Sequence, residues 1–208
     1  MFNGSAPLFI ETLSIRGGVV NNLEFHQERM YATGVAHHFS PPSWEEIKER
    51  LDTDVVLSDP TSLYKCTITY RETIKQISLS KYSTRKIERL IPVYVKDLSW
   101  YNFKYANRES FENLKEGLQP NDEIIIVTPD GFISDTSYTN IVIEKSGIYK
   151  TPSTPLLKGT QRASLLKKGV IQEAKITLED IYIPCTIHLI NALMPLGTLS
   201  LRNTSITQ

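Results

Sequence analysis

The chain has 208 residues, enough for one large domain or two small ones and for a sizeable hydrophobic core. Its 23 basic and 23 acidic side chains cancel, which argues against nucleic acid or an anionic membrane recognised through bulk charge. Hydrophobic content of 40% and charged content of 22% are those of an ordinary soluble globular protein. No stretch approaches ~18 uninterrupted apolar residues, and Met1-Phe2-Asn3-Gly4-Ser5 carries no basic-then-apolar leader. A cytoplasmic protein with no membrane association is expected.

In chain order, Leu8–Ile15 reads as a strand, Gly17-Gly18 as a hairpin turn and Val19-Val20 as its return. Leu23, Phe25, His26, Met30, Val35 and Ala36 recur with a helical period, predicting a helix over 24–37 that Ser40-Pro41-Pro42 ends. Ser43 with Glu46 forms a capping-box pattern at the head of a second helix running to about Leu51. Strands are expected over Ser62–Tyr70, Thr73–Lys81 and Arg89–Val95, as an antiparallel meander completing a small α+β domain. Residues 97–102 have no periodicity and read as a linker, giving an N-terminal domain over 1–98 and a C-terminal one over 103–208. In the latter, Asn107–Lys115 reads as a helix ended at Gly117, and Glu123–Val127 and Asn140–Glu144 as strands around the turn Pro129-Asp130-Gly131. A helix follows over Gln161–Lys168, then a helical turn at Thr177–Asp180 and an apolar strand at Thr186–Ile190.

Several common chemistries lack a handle. Cys66 and Cys185 form no CxxC pair, and Cys66 in an alternating run reads as a buried thiol. His37 and His38 are adjacent on a helix and point about 100° apart, a poor start for a metal site. There is no GxGxxG, GxxxxGK[ST] or GxSxG.

Four stretches do carry chemistry. Lys104 stands among Trp100, Tyr101, Phe103 and Tyr105, and a desolvated lysine becomes the neutral amine that attacks an aldehyde; a surface lysine lying over aromatics is the structural alternative. Asp135, followed by Asn140, is an acid between a turn and a strand, although Ser-Asp-Thr-Ser is also ordinary turn chemistry. Gly159-Thr160-Gln161-Arg162 heads a helix, where unpaired amides and the helix dipole suit a phosphate. Asn191-Ala192 follows an apolar strand, where turning amides could hold the same anion, and Arg29 beside His26 could add a bidentate contact. A lysine, an acid and anion donors are what a pyridoxal 5′-phosphate (PLP) site requires.

Taken in order, these stretches resemble the class IV, fold type IV, PLP-dependent enzymes: branched-chain and D-amino acid aminotransferases and 4-amino-4-deoxychorismate lyases. Phe9-Ile10-Glu11-Thr12 with His26-Gln27-Glu28-Arg29 is similar to the family's first strand and its His-x-x-Arg helix. The resemblance makes Arg29 a phosphate ligand, Lys104 the Schiff-base lysine and Asp135 the acid facing the pyridine nitrogen. Asn140 would orient the pocket, and Thr160, Gln161, Asn191 and Ala192 would hold the phosphate. Arg16 and Arg108 would meet substrate carboxylates. Two departures stand out: Asp135 where glutamate is usual, and Lys158 where proline is common.

The resemblance implies an α+β/α/β, two-domain D-amino acid aminotransferase-like fold, PLP as cofactor and a homodimer. Asn191-Ala192-Leu193-Met194-Pro195 is close to the form found in the lyase branch. That implies conversion of 4-amino-4-deoxychorismate to 4-aminobenzoate and pyruvate in folate synthesis. A transaminase of a small branched-chain or D-amino acid is the alternative, and a PLP-binding protein without turnover a third reading.

Overall fold

The computed structural model describes residues 6–51 and 59–207, which divide into two compact units. The first comprises residues 1–83 with 103–108, the second 84–102 with 109–208. No helix among the described residues is long and apolar enough to cross a membrane.

The first unit is built on a four-stranded antiparallel sheet in the order β2-β1-β3-β4, formed by β1 (Phe9–Arg16), β2 (Val19–Val20), β3 (Tyr64–Tyr70) and β4 (Ile74–Lys81). Alternation along a strand sends every second side chain to one face. In β1 this buries Phe9, Leu13 and Ile15, and in β3 Tyr64, Cys66, Ile68 and Tyr70. Helix α1 (Leu23–Ala36) contributes Met30 to the same core, and α2 (Trp44–Arg50) contributes Ile47. The Ser43–Glu46 capping box forms as the sequence implies, satisfying two amides at the head of α2. Gly17 and Gly18, at φ of 55° and 77°, make the β1–β2 turn that a side chain would resist.

The second unit has a five-stranded sheet in the order β11-β10-β7-β8-β9 and a separate two-stranded one. The five strands are β7 (Asn140–Lys145), β8 (Ile148–Pro152), β9 (Gln172–Ala174), β10 (Thr186–Ile190) and β11 (Ser200–Arg202). Three helices accompany them: α3 (Glu109–Leu114), α4 (Thr160–Lys167) and α5 (Leu178–Tyr182). Its core runs through Ile125, Val127, Ile141, Ile187 and Leu189.

Three expectations are corrected. Strand β5 (Arg89–Tyr94) does not close an antiparallel meander; it pairs in parallel with β6 (Asp122–Val127), every residue of which is buried. Such a strand needs a neighbour more than the largely exposed β4 does, and the Arg89–Asp122 ion pair, with contacts of 2.8 and 2.7 Å, pins the register. The turn at Gly131 forms, with φ of 80°, but its returning arm is Phe132–Asp135 rather than Asn140–Glu144. Ser134 N donates to Ile126 O at 2.8 Å and Ile126 N to Asp135 O at 2.9 Å, whereas Asn140 opens the other sheet.

The third correction concerns Lys104. The boundary lies at Ser83 instead of 97–102, and the Lys104 segment belongs to the first unit, not the C-terminal one. Ile10 N donates to Lys104 O at 2.9 Å and Ala106 N to Leu8 O at 2.8 Å, so residues 104–106 lie antiparallel along the start of β1, with Tyr105 bridged to Phe9. Phe103 and Tyr105 then pack against the core of that sheet.

Candidate active site

In the first unit the chemistry gathers on the face of β1 toward α1. Alternation that buries Phe9 and Leu13 also buries Glu11, a carboxylate with no exposed surface. From α1, Arg29 Nε donates to Glu11 Oε1 at 2.8 Å and Arg29 Nη2 to Oε2 at 2.5 Å, while His26 Nδ1 lies 2.7 Å from Oε2. His26 and Arg29 are three residues apart and share one helix face. Burial pushes Glu11 toward protonation, but Arg29 and His26 outweigh it and hold the carboxyl at about 2. Glu11 is therefore an acceptor only, which makes His26 Nδ1 the donor. Burial in turn pushes His26 below its ordinary value, against the pull of Glu11.

Lys104 is half-buried on the segment beside β1. Desolvation first, then the Arg29 cation, push its amine down to about 7, with Glu11 acting the other way and Arg108 adding to the depression. Near neutral pH a large fraction of this amine is uncharged and nucleophilic. The expected aromatic setting is only half realised. Phe103 and Tyr105 join Phe9, Tyr105 lying 5.3 Å from it, but Trp100 and Tyr101 pack on Phe111 at 4.9 and 4.7 Å. Arg16 sits exposed at the end of β1, and Arg108 is among the charges that bear on Lys104.

In the second unit Asp135 is buried. Its Oδ1 accepts from Asn140 Nδ2 at 2.8 Å and its Oδ2 from Leu157 N at 2.9 Å; Asn140 Nδ2 also reaches Leu157 O at 2.8 Å. Burial outweighs these bonds and the Arg162 charge, and pushes the Asp135 carboxyl up to about 7. Gly159 caps α4 without a side-chain cap, placing Thr160 and Gln161 in the first turn. Buried Arg162 follows and donates to Pro152 O at 3.0 Å and Glu173 Oε1 at 2.5 Å. Asn191 closes its own turn: Oδ1 accepts from Leu193 N at 2.9 Å and Met194 N at 3.0 Å, with Ala192 half-buried between.

The sequence did not reveal what Glu11 does for Arg29, Leu157 N for Asp135 or Gly159 for Asn140. Glu11 had a signal, since an acid in the apolar register of a strand must find a partner. A Cβ on Gly159 would meet Asn140 Oδ1 at 2.0 Å, so the glycine makes room for the amide that holds Asp135. Gly159→Ala is expected to displace Asn140 and lower stability by about 2 kcal/mol, measured by urea denaturation.

Each unit carries groups of the kind that PLP binding uses: the first a lysine whose amine is pushed down to about 7 and a guanidinium, the second an acid pushed up to about 7 and the head of a helix. The family model for "Amino-transferase class IV" matches residues 8–198. The chain belongs to the class IV aminotransferases.

An uncharacterized protein of Haemophilus influenzae is 33% identical over 189 residues, which are 90% of this chain and 97% of that one. Among solved structures, a candidate 4-amino-4-deoxychorismate lyase from Haemophilus somnus matches with a TM-score of 0.82 at 26% identity, over 93% of this chain and all of that one. A hypothetical aminotransferase from Mycobacterium tuberculosis in its PLP-bound form shares the fold, with a TM-score of 0.78 at 16% identity over 96% of this chain and 81% of that one. This class IV protein is thus a PLP-dependent enzyme of the lyase or transaminase type, with the mixed α/β fold of its family.

Proposed function

We propose that this class IV enzyme is a 4-amino-4-deoxychorismate lyase that forms 4-aminobenzoate and pyruvate. The observation that carries the reading is the turn Asn191-Ala192-Leu193-Met194-Pro195, whose sequence is close to that of the lyase branch. Asn191 Oδ1 accepts the amides of residues 193 and 194, and Ala192 offers a methyl where a threonine would offer a hydroxyl. The 26% identity to a candidate lyase matched along its whole length supports the same branch.

In this reading Lys104 would carry the cofactor until the substrate's amine takes its place and frees Nζ, Arg29 and the first turn of α4 at Thr160 and Gln161 would hold the phosphate, and Asp135 would hold a proton at the pyridine nitrogen. Asn140 keeps Asp135 oriented. Bound PLP supplies an electron sink for the charge left when a proton leaves the amine-bearing carbon. Lys104 Nζ removes that proton from the substrate's ring. The C–O bond to the enolpyruvyl group then breaks as the ring becomes aromatic, and Lys104 returns the proton to the methylene carbon of the released enolpyruvate, giving pyruvate. Arg108, whose charge already bears on Lys104, is the better placed of the two arginines to meet a substrate carboxylate.

The test is pyruvate release from 4-amino-4-deoxychorismate, followed by coupling to lactate dehydrogenase. Stoichiometric pyruvate and 4-aminobenzoate are expected. Conversion of bound PLP to pyridoxamine phosphate by an amino acid, without pyruvate from the authentic substrate, would instead establish a transaminase.

A further inference from the structure

We infer that Glu11 is a positioning residue: it holds the Arg29 guanidinium in the one orientation from which it can grip the anionic end of the cofactor. The inference rests on the reading of Arg29 as the phosphate ligand and extends it to a residue that never touches the phosphate. Three observations carry it. Both oxygens of Glu11 are committed to one edge of the guanidinium, Nε at 2.8 Å and Nη2 at 2.5 Å, and this fork-to-fork geometry fixes the plane and rotation of the group. Glu11 is itself fixed, on a strand interior among Phe9, Leu13 and Ile15, with His26 Nδ1 2.7 Å from the same carboxylate. The arginine also springs from a fixed point, because Arg29 lies in the interior of α1, where its backbone is held by the helix.

Stability alone does not call for this arrangement. A well-packed apolar side chain usually serves a buried position as well as an ion pair does. A carboxylate here confers orientation, which a phosphate ligand needs and a hydrophobic core does not. Glu11 also neutralises Arg29 locally, so the cation does not drive the Lys104 amine still lower.

The test compares PLP with pyridoxal, which lacks the phosphate, by calorimetric titration of the full-length chain. Wild type is expected to prefer PLP. Glu11→Gln is expected to reduce that preference at least about tenfold while leaving pyridoxal affinity in place, as loss of a supporting partner does at other anchored ligands. Adding Glu11→Gln to Arg29→Ala is expected to change nothing further, since the effect passes through the arginine. Glu11→Asp keeps the charge but not the reach to both nitrogens, and is expected to show the same loss, so a Glu11→Gln chain that fails to fold leaves the test standing. An unchanged preference in the Glu11 variants, with loss in Arg29→Ala, overturns the inference and leaves Arg29 as phosphate ligand. Equal loss of both ligands in the Glu11 variants also overturns it, by showing general damage. An unchanged preference in Arg29→Ala removes the reading of Arg29 itself.

Discussion

Lys104→Ala is expected to lower turnover by about 10³-fold or more and to abolish any covalent adduct between protein and PLP that borohydride can trap. The amine is both the attachment point and the base in the proposed reaction, and no other residue of the Phe103–Arg108 segment presents one. Its depressed value of about 7 gives a second readout. Only the neutral amine attacks an aldehyde, so the rate at which cofactor-free protein captures PLP should rise as pH climbs through about 7 and level off above it. An ordinary exposed lysine would keep accelerating toward pH 10. Stopped-flow absorbance on wild type, with mass spectrometry of the reduced adduct in both proteins, measures these effects. A trapped adduct surviving in Lys104→Ala would move the attachment to another lysine.

The second large effect is expected at Asp135, where function and stability should move in opposite directions. Asp135→Asn keeps the shape, and its amide oxygen can still accept from Leu157 N, but no carboxylate remains to hold a proton at the pyridine nitrogen. Turnover with PLP is expected to fall by about 10²-fold. The cofactor-free protein behaves otherwise. Because Asp135 titrates at about 7 when folded against 3.8 ordinarily, the native state keeps a proton that the unfolded chain has lost across that window. Wild type therefore sheds stability as pH rises from 3.8 through about 7, where the unfolded state binds fewer protons. The asparagine variant carries no such penalty and should melt above wild type at pH 8, which thermal unfolding across pH 4 to 8 will test. A buried acid that costs stability in order to serve a ligand is a familiar exchange at active sites.

The elements that depend on local chemistry were legible in the residues themselves. The Gly17-Gly18 turn, the helix bearing His26 and Arg29, the Ser43–Glu46 capping box and the glycine-headed helix at Thr160 all follow from backbone preferences and spacing over a few positions. The chemical types were legible for the same reason, since a lysine, an acid and a helix head stand in recognisable order along the chain.

Long-range pairing was not legible. Strand β5 was expected beside β4, yet it joins β6 across α3, because the fully buried β6 gains more from a neighbour than an exposed edge does. Lys104 was expected in the C-terminal domain, but its backbone bonds to Leu8 and Ile10 carry it to the first unit. Glu11 looked like one residue of a strand motif until α1 folded over it and turned it into the anchor of Arg29. Sequence by itself determined which groups this protein has and the local frames that carry them. Only the tertiary structure decided their charge states, because burial and the partners that oppose it are set by segments far apart in the chain. The acid of Glu11 is thereby held at about 2 and that of Asp135 at about 7.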